Sequence, residues 1–439
     1  MKLTEVKMGE KFSRGEKIAP FSSNREAEPA VDEASVASVN TGMCLAGVIA
    51  EYNPFHNGHA HQLAEARRHG ATHIAVAMSG PFVQRGGIAI VSKFARARAA
   101  LESGADLVLE LPVPYALASA PDFARAGIFL LRELGADCLS FGCEEGDPQK
   151  LREAARLCAG AERSDRIGEL LGKGWSYPRA RAAVVEELAG REWAERITAP
   201  NNLLAIEYIR AIEQIAPGME LLAIPRVGAG HDRMEAGGKI ASASYLRRLL
   251  ERDGLAAIER YVPPGALRIY REELTAGRAP VLQSAIERIA MERIRGLTAE
   301  DFASLPGVAE GLENRLLRAA AAASSVEDFC MRVKTKRYTL ARIRRIAFAA
   351  LLGIRREDQQ HDPAYLRVLG MNERGKEILA RAKRSAGVPA GVNFADLYRL
   401  SPPGLELDLR AEELFALASP VIQPRGRDFT ERMIVVESE

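Results

Sequence analysis

Two histidines three residues apart flank a glycine in His56-Asn57-Gly58-His59, at the expected start of a helix that continues through Leu63 and Ala66. Before them come a continuous apolar run, Leu45 to Ala50, which reads as a buried strand, and the turn signal Asn53-Pro54. Strand, tight turn, glycine and helix N-terminus form a phosphate cradle, because free N–H groups and the positive end of the helix dipole face an anion. Gly58 is expected to let a phosphate approach the backbone. Spaced by three, both imidazoles share one face of the first turn and can donate to phosphoryl oxygens that gain charge during transfer. The same pair could bind zinc only with a further ligand, and no Cys or acidic partner stands at a helical offset.

Two more helix starts carry suitable groups. In Lys239-Ile240-Ala241-Ser242-Ala243-Ser244-Tyr245-Leu246-Arg247, hydroxyls at the entrance and Arg247 on the first turn suit a triphosphate; Ser242 or Ser244 also suits an N-cap. Pro200-Asn201-Asn202-Leu203 reads first as a cap, and an Asn at a cap can still present its amide to a nucleotide.

Alternating elements must position these groups. From Met43 to about Leu250, apolar runs at 45–50, 73–78, 106–113, 138–142 and 220–224 alternate with helical stretches that include 58–69, 93–103 and 122–133. That alternation predicts an α/β fold with a mostly parallel sheet and right-handed crossovers. Ligands then bind beyond the carboxyl ends of the strands, where Ser79-Gly80-Pro81-Phe82-Val83-Gln84-Arg85-Gly86 and Phe141-Gly142-Cys143-Glu144 fall. After about 255 the pattern changes to short amphipathic helices, at 281–296, 299–304, 309–323 and 339–353. Residues 332–345, RVKTKRYTLARIRR, hold seven basic residues and no acid, so they can neutralise RNA phosphates while Tyr338 offers a stacking face; a solvated basic helix face is the plainer reading. Residues 364–439 are expected to add a small C-terminal α/β piece.

Composition sets the limits. With 439 residues and 47% hydrophobic content, two or three domains are expected. A net charge of +2 excludes a global electrostatic field as the basis of nucleic-acid binding and leaves only local patches. The five scattered cysteines lack a C-x-x-C pair and read as small hydrophobes in a reducing compartment. No run of 18 apolar residues and no signal-peptide pattern occurs, so a soluble, cytoplasmic protein without a membrane partner is expected. Residues 1–42 are polar and mixed in charge, which predicts a disordered extension, with Met43 as a true or alternative start.

Taken together, EYNPFHNGH, MSGPFVQRG, DLVLELPVPYALASA, FGCEEGD, PNNLLAIEY, RVGAGHD and KTKRYTLARIRR, in that order, resemble the bacterial tRNA(Met) cytidine acetate ligases. These belong to the HxGH nucleotidylyltransferase superfamily, whose second element is similar to IASASYLRR. The resemblance runs from Met43 to the end. It implies a Rossmann-like nucleotidylyltransferase domain over 43–255, followed over 256–439 by a mainly helical, basic tRNA-binding region. The implied activity forms acetyl-adenylate from acetate and ATP and passes the acetyl group to the exocyclic amine of the wobble cytidine of elongator tRNA-Met. ATP would lie on Ile49, Ala50, Glu51, Tyr52, Asn53, Pro54, Phe55, His56, Asn57, Gly58, His59, Ala60, His61 and Gln62, and on Gly142, Asn201 and Arg226. Ser242 joins this set. His56, His59 and Arg247 are the expected catalytic groups, and Lys334, Lys336, Arg337 and Arg342 the expected tRNA contacts. Mg2+ is expected with ATP, no protein metal site is expected, and no protein partner is evident. Two other readings stay open: adenylyl transfer to a phosphorylated small molecule, which leaves the basic helices without a purpose, and a non-catalytic RNA-binding protein on a nucleotide-binding fold.

Overall fold

Apolar runs become strands where the sequence places them. The computed structural model describes residues 43–144, 146–225, 238–309 and 311–437, the side chains of 200 and 201 excepted, so the expected N-terminal extension lies outside the described residues. The strands are β1 (Leu45–Ala50), β2 (His73–Ser79), β3 (Phe82–Val83), β4 (Gly87–Ile88), β5 (Leu107–Leu111), β6 (Cys138–Cys143), β7 (Glu220–Pro225), β8 (Leu366–Met371), β9 (Ala390–Gly391) and β10 (Ile434–Val435). Among the described residues the main sheet runs β10-β8-β5-β2-β1-β6-β7, with β9 paired to β8. From β5 to β7 all pairings are parallel.

The order places the site. From β1 the chain steps outward through β2 to β5, then returns to add β6 and β7 on the other side of β1. The strand order therefore reverses between β1 and β6, and the crevice at their carboxyl ends is where an open α/β sheet binds its ligand. Side-chain alternation covers both faces. Leu45, Ala75, Ala77, Leu107 and Leu109 join the core under the helix Ala120–Glu133 and those of 148–215. Ala46, Val48, Ile74, Val76 and Met78 join the core under the helices Asn57–Arg68, Lys93–Leu101 and Ala243–Asp253.

Two expectations about organisation change. The C-terminal α/β piece is not separate, because β8 pairs antiparallel with β5 and extends the main sheet. A buried ionic network explains the attachment. Arg367 on β8 stands opposite Glu110 on β5, 2.8 Å away, and Lys93 lies 2.9 Å from both Glu110 and Asp428. Residue 255 is not a structural divide either. Ile258, Tyr261, Ala266 and Tyr270 pack into the core under β1 and β2, and residues 43–439 cluster as one compact unit. The helices beyond 281 have their own core, but Phe82, Val83 and Ile88 of the β3–β4 hairpin are buried in it. A short hairpin cannot bury these side chains by itself, so it shares the core of the helices beside it. No helix among the described residues is long and apolar enough to cross a membrane.

Candidate active site

The helix Asn57–Arg68 begins with its two histidines locked into its own backbone. His56 is the N-cap, and its Nδ1 accepts the Gly58 N–H at 3.1 Å, while His59 Nδ1 accepts the His56 N–H at 3.3 Å. The rings stack with centroids 3.7 Å apart, and Tyr52 and Phe55 pack around His59 at 4.8 and 5.5 Å. Each Nδ1 that accepts a hydrogen bond carries no proton, so in both neutral rings the proton is on Nε2. The backbone thus fixes the orientation of both rings through Nδ1. This corrects the picture of a bare cradle, since the Gly58 amide is used by His56 and the His59 amide by the His56 carbonyl. The glycine has a related function. A Cβ at Gly58 would lie 3.0 Å from His56 Cε1, so its absence makes room for the capping ring.

The loop that carries His56 is held from three sides. Tyr270 Oη accepts the Phe55 N–H at 2.8 Å, Asn53 Oδ1 accepts the Ile90 N–H at 2.9 Å, and Arg247 donates to the Asn53 carbonyl at 2.6 Å. Asn57 donates to the carbonyls of Lys239 and Arg260, joining this helix start to the second one. Tyr52 is buried at φ 49°, a left-handed backbone position that non-glycine residues seldom occupy.

The second helix start stands across the cavity. Ser242 caps the helix Ala243–Asp253 by accepting the Tyr245 N–H, as the plainer sequence reading expects, yet it still lines the cavity. Arg247 bridges Asn53 and the Ser244 hydroxyl; burial lowers its pKa, against which the Glu51 carboxylate acts. Glu51, His56, His59, His61, Gln62, Arg85, Gly142, Ser242, Ser244 and Arg247 all line one cavity at the β1/β6 crevice. Glu51 is the one carboxylate in that lining among the described residues. An excess of donors and cations fits a polyphosphate.

Other expected residues have different positions or lie outside view. Ile49, Ala50, Pro54 and Ala60 belong to the strand, loop and helix that support the cavity but do not line it. The backbone of Asn201 starts the helix Pro200–Ile215, but its side chain and all of Arg226 lie outside the described residues. The neighbouring Asn202 instead bonds Glu144, its Oδ1 accepting the Glu144 N–H at 3.2 Å. Arg85, which the motif reading does not select, lines the cavity; its signal was its place after β2, at the carboxyl end of the sheet. Arg96 had no such signal. Completely buried, it donates to the carbonyls of Glu51, Ser79 and Gly80 at 2.6 to 2.8 Å and fixes the ends of β1 and β2; desolvation brings its pKa down to about 10. Among the described residues, no three His, Cys, Asp or Glu side chains gather as a metal set.

The basic segment approaches this region at its end, where Arg344 packs on Gly86, next to Arg85 in the chain. Lys334 and Lys336 are exposed and Arg337 is half-buried. Arg342 is half-buried, with its guanidinium 5.1 Å from the centre of the Tyr338 ring and its Nε donating to the Gly307 carbonyl at 2.9 Å. Tyr338 is itself buried, so it has no open face for a base, contrary to the sequence expectation.

Comparison with known proteins agrees with this geometry. The family model described as HIGH Nucleotidyl Transferase matches residues 43–428. A tRNA(Met) cytidine acetate ligase of Acetivibrio thermocellus is 34% identical over 415 residues, covering 90% of this chain and all of the relative. The ligase of the same name from Bacillus subtilis is 35% identical, over 88% of this chain and 95% of the relative. Among solved structures, apo Thermotoga maritima TmcAL superposes with a TM-score of 0.84 at 32% identity, covering 90% of this chain and all of that one. The same protein bound with alpha-thio ATP superposes at 0.82, with the same identity and coverage.

Proposed function

The chain belongs to the HIGH nucleotidyl transferase family, among the tRNA(Met) cytidine acetate ligases, and on that premise we propose that it activates acetate with ATP and acetylates the wobble cytidine of elongator tRNA-Met. One acetate oxygen attacks the α-phosphorus as pyrophosphate departs, which leaves acetyl-adenylate. The exocyclic amine of the cytidine then attacks the acetyl carbonyl, AMP leaves, and one amine proton is released. Acetate is a poor electrophile until it is joined to phosphate, so the first step depends on position and on charge stabilisation.

The observation that carries this reading is the stacked His56–His59 pair, with both Nδ1 atoms tied to backbone amides at the strand-order reversal and Arg247 across the cavity. In the proposed roles, their Nε2–H groups and the Arg247 guanidinium meet the phosphoryl oxygens as charge builds, while Gly142, Asn201, Arg226 and Ser242 help to hold the nucleotide. Magnesium is usually held by substrate phosphates and one or two carboxylates, and Glu51, whose Oε1 accepts the Gln84 N–H, would supply one through its other oxygen. Lys334, Lys336 and Arg337 would hold tRNA backbone phosphates, with Arg342 stiffening the segment. The cytoplasm is the compartment where such a substrate occurs.

Pyrophosphate release from ATP, measured with and without acetate and with and without tRNA, tests the reading. Release is expected to require acetate, with acetyl transfer only when tRNA is present. Release that ignores acetate would overturn it.

A further inference from the structure

A second cavity, of about 460 Å3, shares Arg85, Ser244 and Arg247 with the nucleotide site and extends from it toward the helices beyond 281. Its size lies within the range of ligand pockets, roughly 300 to 1,000 Å3. Arg248 and Arg344 line it, with Glu251 the one carboxylate among the described lining residues, and Gln283 adds an amide. None of these four belongs to the site already described.

The lining points to an anionic occupant, since among the described residues four arginines, Arg85, Arg247, Arg248 and Arg344, stand against one glutamate. Arg344 pairs through Nη2 with Glu327 at 2.7 Å, but its Nε is buried and has no hydrogen-bond partner. A buried donor of this kind is uncompensated in the free protein. The wall that carries Arg344 is also firmly built. Gly86 holds the turn of the β3–β4 hairpin at φ 78°, and a Cβ there would lie 2.7 Å from Arg344 Cβ and 2.8 Å from the Arg345 amide nitrogen. Only glycine lets the hairpin and the helix Leu340–Leu352 approach so closely, and the approach puts Arg344 next to Arg85.

We propose that this second cavity receives the unpaired cytidine nucleotide of the acceptor RNA, with Gln283 facing the base edge and Arg248 and Arg344 its flanking phosphates. The proposal rests on the acetate-ligase reading and adds to it the place where the amine waits. An amide side chain has both a donor and an acceptor, which suits a pyrimidine edge. Unpaired loop bases can be splayed out into a pocket of this kind. Because the two cavities share Arg85, Ser244 and Arg247, the base would lie next to the nucleotide site. Exposed Lys334 and Lys336 precede the helix that carries Arg344 in the chain, so the same basic segment has residues at the surface and in the cavity wall.

An anticodon stem-loop RNA with cytidine at the wobble position is the probe. Arg248→Gln and Arg344→Gln are each expected to raise its KM in acetyl transfer about tenfold and to lower the salt slope of its binding by about one unit. Acetate-dependent pyrophosphate exchange without RNA should change less than threefold, which also shows that the variants are folded. Should either variant fail that control, Ser284→Tyr, which adds bulk to the cavity lining, carries the same expectation for KM. Wild-type KM and salt slope in Arg248→Gln, Arg344→Gln and Ser284→Tyr, with the wild type acetylating RNA, would overturn the proposal. A wild type that makes no acetyl-adenylate would instead overturn the functional reading beneath it.

Discussion

An imidazole bonded to the backbone through Nδ1 presents a fixed Nε2–H, and His56 and His59 do this for each other's turn of helix. Capping and chemistry are therefore joined in the same rings, and an alanine at either position would remove both. Asparagine separates them at position 56, because it is a strong N-cap residue but has no Nε2. His56→Asn is expected to melt within a few degrees of wild type while acetate-dependent pyrophosphate exchange falls about 10²-fold or more. Equal exchange would mean that His56 is only a cap. His59→Ala should lose the same rate.

At the scale of elements, the β3–β4 hairpin that follows β2 is in close contact with the helix Leu340–Leu352, which carries the end of the basic segment. Gly86→Ala would strain a left-handed residue and force a methyl into the Arg344 backbone, at a cost of roughly 1–3 kcal/mol. A lower melting temperature should accompany weaker RNA acetylation. The basic segment divides in two on the same ground. Replacing exposed Lys334 and Lys336 by Ala should weaken tRNA binding and lower its salt slope by about one unit per contact, with stability unchanged. Arg342→Ala should destabilise instead, since its guanidinium packs on Tyr338 and bonds Gly307. Calorimetry alongside a salt series of binding measurements distinguishes the two.

For the whole molecule, the buried network of the C-terminal segment sets both integrity and pH response. Three cations, Lys93, Arg367 and Arg427, meet four carboxyls, Glu110, Asp408, Glu412 and Asp428, all nearly inaccessible to water. Away from water, burial of so many carboxyls together disfavours full ionisation of the group. Burial pushes Asp408 and Glu412 up to about 7, whereas at Asp428 the nearby Arg367 and Lys93 outweigh burial and hold the carboxyl down at about 2. Between the ordinary carboxylate range and about pH 7 the native state therefore binds protons that the unfolded chain has released, and stability falls as pH rises. Below that range Asp428 acts in the opposite sense, and stability falls as pH drops toward 2. Glu412→Gln, a neutral isostere, should flatten the loss of melting temperature between pH 5 and pH 8; an unchanged profile would show that Glu412 ionises normally. Because β8 also covers β5, a chain ended after residue 362 should fail to fold into a stable nucleotide domain, as read by far-UV circular dichroism and solubility.

The sequence by itself determined the parallel part of the sheet, most of its strand positions and the two helix starts that line the cavity, because apolar period, turn residues and caps are local properties. Thus 45–50, 73–78 and 138–142 were legible as strands to within a residue of β1, β2 and β6. His56, His59, Ser242 and Arg247 were legible as polar groups at two helix starts, each with a plainer use as a cap or surface residue, and the motifs taken together singled them out; all four line one cavity. Only the tertiary structure decided what lies between sequence-distant segments. Arg96 and Tyr270 read as ordinary helix residues until their partners, dozens to hundreds of positions away, are known. Tyr338 looked open and is buried, since its environment comes from packing and not from its neighbours in the chain. Strand β8 was visible as a strand but not as a member of the main sheet. Its place depends on Arg367 meeting Glu110 across 257 positions, a pairing that no local pattern encodes.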